Sequence, residues 1–278
     1  MSAQKLALVT GTSSGIGLHT AIGLAQTGLR VIATMRNPDN AQALRAAAQA
    51  AGVEVEVRAL DVVDERQATQ LVADLGVVDV LINNAGRGSV GTLEQLTQDD
   101  LHAQLEVNYL AVASLTRLVL PGMRAAGAGR VVTVTSVGGV VGQPFADAYC
   151  AAKFAVEGLM QSLAPVAATF GVGISIVEPA AVSSSFVANV DGVLADIADD
   201  DPYRDLLGAY LRRTAGAYDT AQTSAEAATV IVRAATTDEP HFRWQTSPSA
   251  AAFTGLSLVD LDGSRVLAAT SKWLTAES

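Results

Sequence analysis

Leu6-Ala7-Leu8-Val9-Thr10-Gly11-Thr12-Ser13-Ser14-Gly15-Ile16-Gly17 is the stretch that decides the fold. Its first half is apolar without alternation, the mark of a strand buried on both faces. Its second half is a glycine-rich turn that opens a segment with helical spacing. Glycines in such a turn let the backbone bend tightly, let it approach a bound pyrophosphate, and let the helix pack on the strand. The helix N-terminus meanwhile offers free N–H groups to an anion. A phosphate site therefore falls on Gly11, Ser13, Ser14, Gly15, Ile16 and Gly17, with spacing G-x3-G-x-G rather than the commoner G-x-G-x2-G.

Working outward, Val- and Ile-rich runs recur at Lys5–Thr10, Arg30–Met35, Val53–Leu60, Val78–Asn83, Arg130–Thr135, Val172–Val177 and His241–Thr246. Helical stretches at Ser14–Gly28, Ala41–Ala51, Glu65–Leu75, Asp99–Ala126 and Ala148–Phe170 lie between them. Seven β segments alternating with helices predict an α/β fold, a doubly wound, Rossmann-type parallel sheet of seven strands covered on both faces. No linker divides the chain, so residues 1–278 read as one domain. The segment from Ser183 to Thr223 breaks the rhythm with an acidic run (Asp191, Asp196, Asp199, Asp200, Asp201, Asp205). Apolar residues flank that run: Phe186, Val187, Val190, Leu194, Ile197, Tyr203, Tyr210 and Tyr218. Beside a sheet's carboxyl edge such a segment reads as a substrate lid, and residues 247–278 as a C-terminal extension.

The 278 residues can bury about three quarters of the surface of the unfolded chain, and with half of them hydrophobic the chain is not disordered. A net charge of −10 without a basic patch excludes nucleic acid as a partner. No run approaches the roughly twenty apolar residues of a membrane span. The single cysteine, Cys150, and the strand beginning at Lys5 predict a cytoplasmic protein with neither disulfide nor signal peptide. His19, His102 and His241 are scattered, and no metal is expected. Trp244 and Trp273 read as core or interface anchors.

Gly11-Thr12-Ser13-Ser14-Gly15 also fits G-x-S-x-G, the nucleophile elbow of an α/β-hydrolase, with His241 available as base. Against this, an elbow normally follows several strands, and here it follows the first. Farther along, Tyr149-Cys150-Ala151-Ala152-Lys153 sets a phenol and an ammonium one helical turn apart on one face. A nearby ammonium favours phenolate, which draws the phenol's pKa toward the working pH and suits it to give or take a proton. Ser136 follows a strand, and Asn108 places an amide among the apolar residues of "LEVNYLAV". Taken singly, each also reads as structural: Ser136 as a turn residue, Asn108 as a hydrogen-bonded core amide, Asn83-Asn84-Ala85-Gly86 as a turn.

Together these motifs, in order and spacing, resemble the short-chain dehydrogenase/reductase family, and Ser136 to Leu159 resembles its 17β-hydroxysteroid dehydrogenase and retinol dehydrogenase branch. The resemblance implies hydride transfer between a nicotinamide and a carbonyl carbon. Tyr149 would be the general acid or base, and Lys153 would lower its pKa and bind the nicotinamide ribose. Ser136 would bond the reacting oxygen, and Asn108 would hold a water that links Lys153 to solvent. Asn84, Ala85 and Gly86 would line the cofactor, as would Asp61 at the adenine amino group and Val62 at its ring. Pro179, Val182 and Ser184 would meet the carboxamide end, although the family's usual Pro-Gly is Pro179-Ala180 here. At the end of the second strand Met35-Arg36 stands where an NAD site places an acid, which favours NADP(H) over NAD(H). The substrate would be a mostly apolar ketone or secondary alcohol. Arg212 and Arg213 near the lid argue against carrying estrogen specificity over. Relatives pair through the two long helices, so a homodimer is expected, with a homotetramer the alternative. A cofactor-binding sensor without turnover, and a hydrolase using Ser13, are the rival readings.

Overall fold

The computed structural model describes residues 4–184, 191–192, 198, 200–210, 221–259 and 261–264. Seven parallel strands form the main sheet: β1 (Leu6–Thr10), β2 (Arg30–Met35), β3 (Glu56–Ala59), β4 (Val80–Asn83), β5 (Gly129–Val134), β6 (Val172–Glu178) and β7 (Arg243–Gln245). Their spatial order is β7-β6-β5-β4-β1-β2-β3. The order reverses between β1 and β4, where Ala7 pairs with Val80 and Val9 with Ile82. In such a sheet that reversal opens a crevice beyond the strand ends, and ligands bind there.

The lack of alternation in β1 has its expected cause, since all five residues are buried. Leu8, Ile32, Leu81, Val131 and Ile176 face one core with Leu71, Leu115, Val156 and Met160. Ala7, Val9, Val31, Ile82, Val132 and Val177 face the other with Leu18, Leu24, Leu44 and Ile231. Removing a side chain such as Leu81 or Leu24 from either layer would cost about 2–5 kcal/mol.

The helices are α1 (Gly15–Gln26), α2 (Gln42–Ala51), α3 (Glu65–Leu75), α4 (Gln98–Leu105), α5 (Ala111–Ala126), α6 (Asp147–Ala168), α7 (Ser224–Thr236) and α8 (Pro248–Thr254). The helix expected over Asp99–Ala126 is in fact α4 and α5 joined through a π turn, Glu106–Leu110. Edge strand β3 is shorter than the run Val53–Leu60, because only β2 is beside it to pair. The helix α7 has a capping box, with Thr223 and Glu226 bonding each other's backbone N–H groups.

Of the segment 183–223, expected to be a lid, the described residues are tied to the body at several points. Gln222–Thr223 pairs with Val182–Ser183, and Asp191–Gly192 with Ser89–Val90. Gln95 Nε2 donates to Asp201 Oδ2 at 3.3 Å, and the Tyr210 ring lies 5.3 Å from that of Phe145. Phe186, Val187, Val190, Leu194, Asp196, Ile197, Asp199, Arg212, Arg213, Tyr218, Trp273 and the extension beyond residue 264 lie outside the described residues. Trp244 is buried and packs in the second core, as an anchor should.

Candidate active site

The site is assembled at the carboxyl edge of the sheet from the ends of β1, β4, β5 and β6. Thr10, closing β1, accepts on Oγ1 from the backbone N–H groups of Asn84 (2.9 Å) and Ala85 (3.0 Å). Asn84 answers with Nδ2, which donates to the Thr10 and Gly11 carbonyls at 2.8 and 3.0 Å. The glycine-rich turn is thereby held flat against the turn Asn84-Ala85-Gly86. Gly11 has φ +69°, and a Cβ there would stand 2.8 Å from Ala85 Cα. At Gly17 a Cβ would stand 2.3 Å from the Gly11 carbonyl oxygen. No side chain fits either place, so the first turn of α1, which carries no acidic residue, remains open to an anion. Such a cradle fits a dinucleotide. Across it, a Cβ on Gly15 would lie 3.4 Å from Ser184 Cβ, so the segment after β6 reaches over the same turn. Pro179 is fixed at that segment's start, its carbonyl accepting from Val137 N–H at 3.0 Å.

At the end of β2, Met35 is buried and Arg36 exposed. Asp61 follows β3, its N–H bonded to Gln67 Oε1 at 3.0 Å and its Oδ1 accepting from Val63 N–H at 3.3 Å. Val62 is half-buried against the first core.

Ser136, Tyr149 and Lys153 gather at the end of β5. Ser136 caps the 3-10 turn Val137–Gly139, its Oγ accepting from Gly138 N–H at 3.0 Å. A Cβ on Gly138 would lie 3.3 Å from both Ser136 Oγ and Cys150 Sγ, which sets Ser136 against the first turn of α6. From that turn come Tyr149 and, four residues on, Lys153, whose Nζ is 5.8 Å from the Tyr149 ring centroid. Lys153 is buried and donates to the Val134 carbonyl at 3.1 Å. Burial pushes its pKa down to about 8, and the carboxylate of Glu157 opposes that fall.

Asn108 lies in the π turn, 1% exposed. Its Nδ2 donates to the Arg87 carbonyl and to Gln104 Oε1, both at 2.9 Å, and its Oδ1 accepts from Arg87 N–H at 3.3 Å. The extra residue of a π turn re-aims one side chain, and such turns are frequent at functional sites. Gly86 shows where this amide is aimed: a Cβ there would meet Asn108 Oδ1 at 3.0 Å and Lys153 Nζ at 3.7 Å. The space a side chain would fill is thus shared by amide and ammonium.

The structure therefore brings Asn108, Ser136, Tyr149 and Lys153 together beside the glycine-rich turn. It does not bring Ser13 to His241. Ser13 follows β1 at the carboxyl edge of the parallel sheet, whereas His241 precedes β7 at the opposite edge. A hydrolase elbow without a base in reach has no means of activating its serine. Sequence reasoning missed Gln104, which supports Asn108, and the buried acids Glu157 and Glu178 with Arg243. The four-residue spacing from Lys153 to Glu157 was a readable signal, while Arg243 offered none. Among the described residues no group of three or more His, Cys, Asp or Glu could hold a metal ion. Nor, among them, is any helix long and apolar enough to cross a membrane.

Comparison with known proteins gives the family. The short chain dehydrogenase family model matches residues 5–192. Human 17-beta-hydroxysteroid dehydrogenase type 1 is 36% identical over 279 aligned positions, covering 96% of this chain and 85% of that protein. Human retinol dehydrogenase 8 is 35% identical, covering 98% and 91%. Among solved structures, a short-chain dehydrogenase from Streptomyces avermitilis superposes with a TM-score of 0.80 at 32% identity, covering 99% and 97%. An actinorhodin polyketide ketoreductase variant with NADPH superposes at 0.72 and 31%, covering 91% and 94%. A Burkholderia phymatum family member in complex with NAD superposes at 0.78 and 27%, covering 91% and 92%. The chain belongs to the short-chain dehydrogenase family. Within that family of oxidoreductases it is similar to the hydroxysteroid and retinol dehydrogenases.

Proposed function

We propose that this chain interconverts a mostly apolar ketone and its secondary alcohol with NADP(H). The observation that carries the reading is the convergence of Asn108, Ser136, Tyr149 and Lys153 at the end of β5, beside a turn with room for a pyrophosphate. Gly11 to Gly17 would hold the pyrophosphate, Arg36 the adenosine 2′-phosphate, Asp61 and Val62 the adenine. Asn84, Ala85, Gly86, Pro179, Val182 and Ser184 would flank the nicotinamide half. The bound nicotinamide supplies or accepts the hydride.

The chain's own residues manage the proton and the developing charge. In reduction the Tyr149 phenol donates its proton to the carbonyl oxygen as negative charge grows there, and in oxidation the phenolate takes it back. The Ser136 hydroxyl donates a second hydrogen bond to the same oxygen, a stabilisation that strengthens as the charge develops. Lys153 favours the phenolate, and each pH unit by which it lowers the tyrosine corresponds to about 1.4 kcal/mol. Asn108, fixed by Arg87 and Gln104, keeps a polar path between Lys153 and the loop at residue 87.

NADP(H) is favoured because no acid closes β2 and Arg36 is exposed there. An apolar substrate is favoured by Leu93, exposed and bonded through its N–H to Asp147, and by the contact of Tyr210 with Phe145, four residues before Tyr149. Leu110, beside α5, and Phe154, on α6, are about half exposed, and we assign them to a homodimer interface through the two long helices. The lone buried thiol of Cys150 suits a reducing, cytoplasmic setting. Turnover of a 17β-hydroxysteroid, retinol and simple cyclic ketones by wild type and Tyr149→Phe tests the assignment. NADPH-linked turnover reduced by about a thousandfold in the variant supports it, and equal turnover refutes it.

A further inference from the structure

Three charged side chains lie buried behind Lys153 and have no part in the proton transfer just described. Glu157 stands one helical turn beyond Lys153 on the face of α6 that carries Tyr149, Glu178 ends β6, and Arg243 begins β7. Each is less than a tenth exposed. Arg243 Nη1 donates to Glu157 Oε2 at 2.7 Å and to Glu178 Oε1. Thr135 Oγ1 donates to Glu157 Oε1 at 2.9 Å, and Gln245 Nε2 to Glu178 Oε2 at 2.6 Å. The turn that carries Ser136 packs directly on this cluster, since a Cβ on Gly139 would stand 2.6 Å from Glu157 Oε1.

One end of β5 thus serves the whole catalytic face of α6. Val134 takes the Lys153 ammonium, Thr135 the Glu157 carboxylate, and Ser136 follows at once. Resting on the reading of Tyr149 and Lys153 given above, we propose that Glu157, held by Arg243, is a positioning residue that keeps Lys153 in its ammonium form beneath Tyr149 and ties the catalytic face of α6 to the last strand of the sheet.

Charge accounting supports a role beyond holding the fold. Buried charges are costly unless matched, and one guanidinium against two carboxylates leaves a negative charge over. Along α6 the cation one helical turn away is Lys153, which bonds the Val134 carbonyl, a dipole without net charge, and feels the Glu157 carboxylate through space. The groups facing Glu157 are Arg243 from β7, Glu178 from β6, Thr135 after β5 and, along its own helix, Lys153. Burial and Glu178 push the Glu157 carboxyl up, while Arg243 and Thr135 hold it down. Without the Glu157 charge, nothing along α6 opposes the burial that depresses Lys153, so the ammonium beside Tyr149 is lost at a lower pH.

The test needs neither substrate nor cofactor. Tyrosinate absorbance near 295 nm is titrated in the cofactor-free chain, and the Tyr149→Phe curve is subtracted to isolate Tyr149. Glu157→Gln is expected to raise the Tyr149 midpoint by about one pH unit. Glu178→Gln, which relieves a neighbouring negative charge, is expected to leave it in place or lower it. Two isosteric neutralisations in one cluster that differ in sign cannot come from general loosening. Thr135→Val, which removes one bond to the Glu157 carboxylate, should act as Glu157→Gln does with smaller amplitude, and it serves if that variant fails to fold. An unmoved midpoint in Glu157→Gln, or in Thr135→Val where that variant serves, overturns the proposal, as does an equal rise in Glu157→Gln and Glu178→Gln. A wild-type Tyr149 midpoint at the ordinary value of about 10 would instead overturn the site reading beneath it.

Discussion

Replacing Gly17 by alanine adds one methyl group at the tightest point of the glycine-rich turn. It would stand 2.3 Å from the Gly11 carbonyl oxygen and 2.4 Å from Asn84 Nδ2. Contact distances near 3.5 Å require the start of α1 to retreat by about 1 Å. That retreat strains the two bonds from Asn84 Nδ2 to Thr10 and Gly11, at 2.8 and 3.0 Å, each worth about 1 kcal/mol. Overpacking adds about 1–3 kcal/mol, for a total of about 3–5 kcal/mol. In a chain of this size that corresponds to a fall of about 10 °C in Tm. The same retreat withdraws the N–H groups of α1 from the pyrophosphate position, so NADPH affinity should fall at least about tenfold. Thermal unfolding and NADPH fluorescence on one preparation read both effects. A Gly17→Ala variant that melts within about 2 °C of wild type and binds NADPH equally well would refute the reasoning.

Further outcomes are expected. Stability of the cofactor-free chain should fall as pH rises through about 7, because burial and Glu178 raise the Glu157 carboxyl above its ordinary 4.5. Its contribution is whole below about 4.5 and lost above about 7, and urea unfolding at stepped pH should show a slope that Glu157→Gln flattens. Lys153 acts in the opposite sense: its pKa is depressed from 10.5 to about 8, so its burial penalty is full below about 8 and relieved toward 10.5. Phe154→Glu should yield a monomer by light scattering, and a wild type that is itself monomeric would contradict the interface. Asn108→Leu leaves Gln104 and the Arg87 backbone unpaired and should lower stability by about 1–3 kcal/mol together with turnover, measured by unfolding and steady-state rates. Unchanged values in both would remove Asn108 from the site.

Much of this architecture was legible in the sequence because buried parallel strands leave apolar runs that do not alternate. The β2 segment Arg30–Met35 and the helix Glu65–Leu75 fall where the sequence puts them. The motifs at residues 11–17, 83–86 and 149–153 were readable because each is local, with spacing that follows from one turn of backbone. What escaped was non-local or geometric. The π turn at Glu106–Leu110 has no composition of its own, and only the misplaced amide of Asn108 hinted at it. The α7 helix was announced by Thr223-Ser224-Ala225-Glu226, a capping box lost beside the acidic segment before it. The Glu157–Arg243–Glu178 cluster joins residues up to 86 positions apart, and no periodicity links them. Phe145, with φ +60° against the Tyr210 ring, is likewise visible only once the chain is folded.

The most direct test of the central claim is a fluorescence titration of the purified chain with NADPH and, separately, NADH. The account predicts saturable binding of both, tighter for NADPH, with that preference reduced in Arg36→Ala while NADH binding is unchanged. Tighter binding of NADH would contradict the role given to Met35 and Arg36, and binding of neither would contradict the dinucleotide site itself.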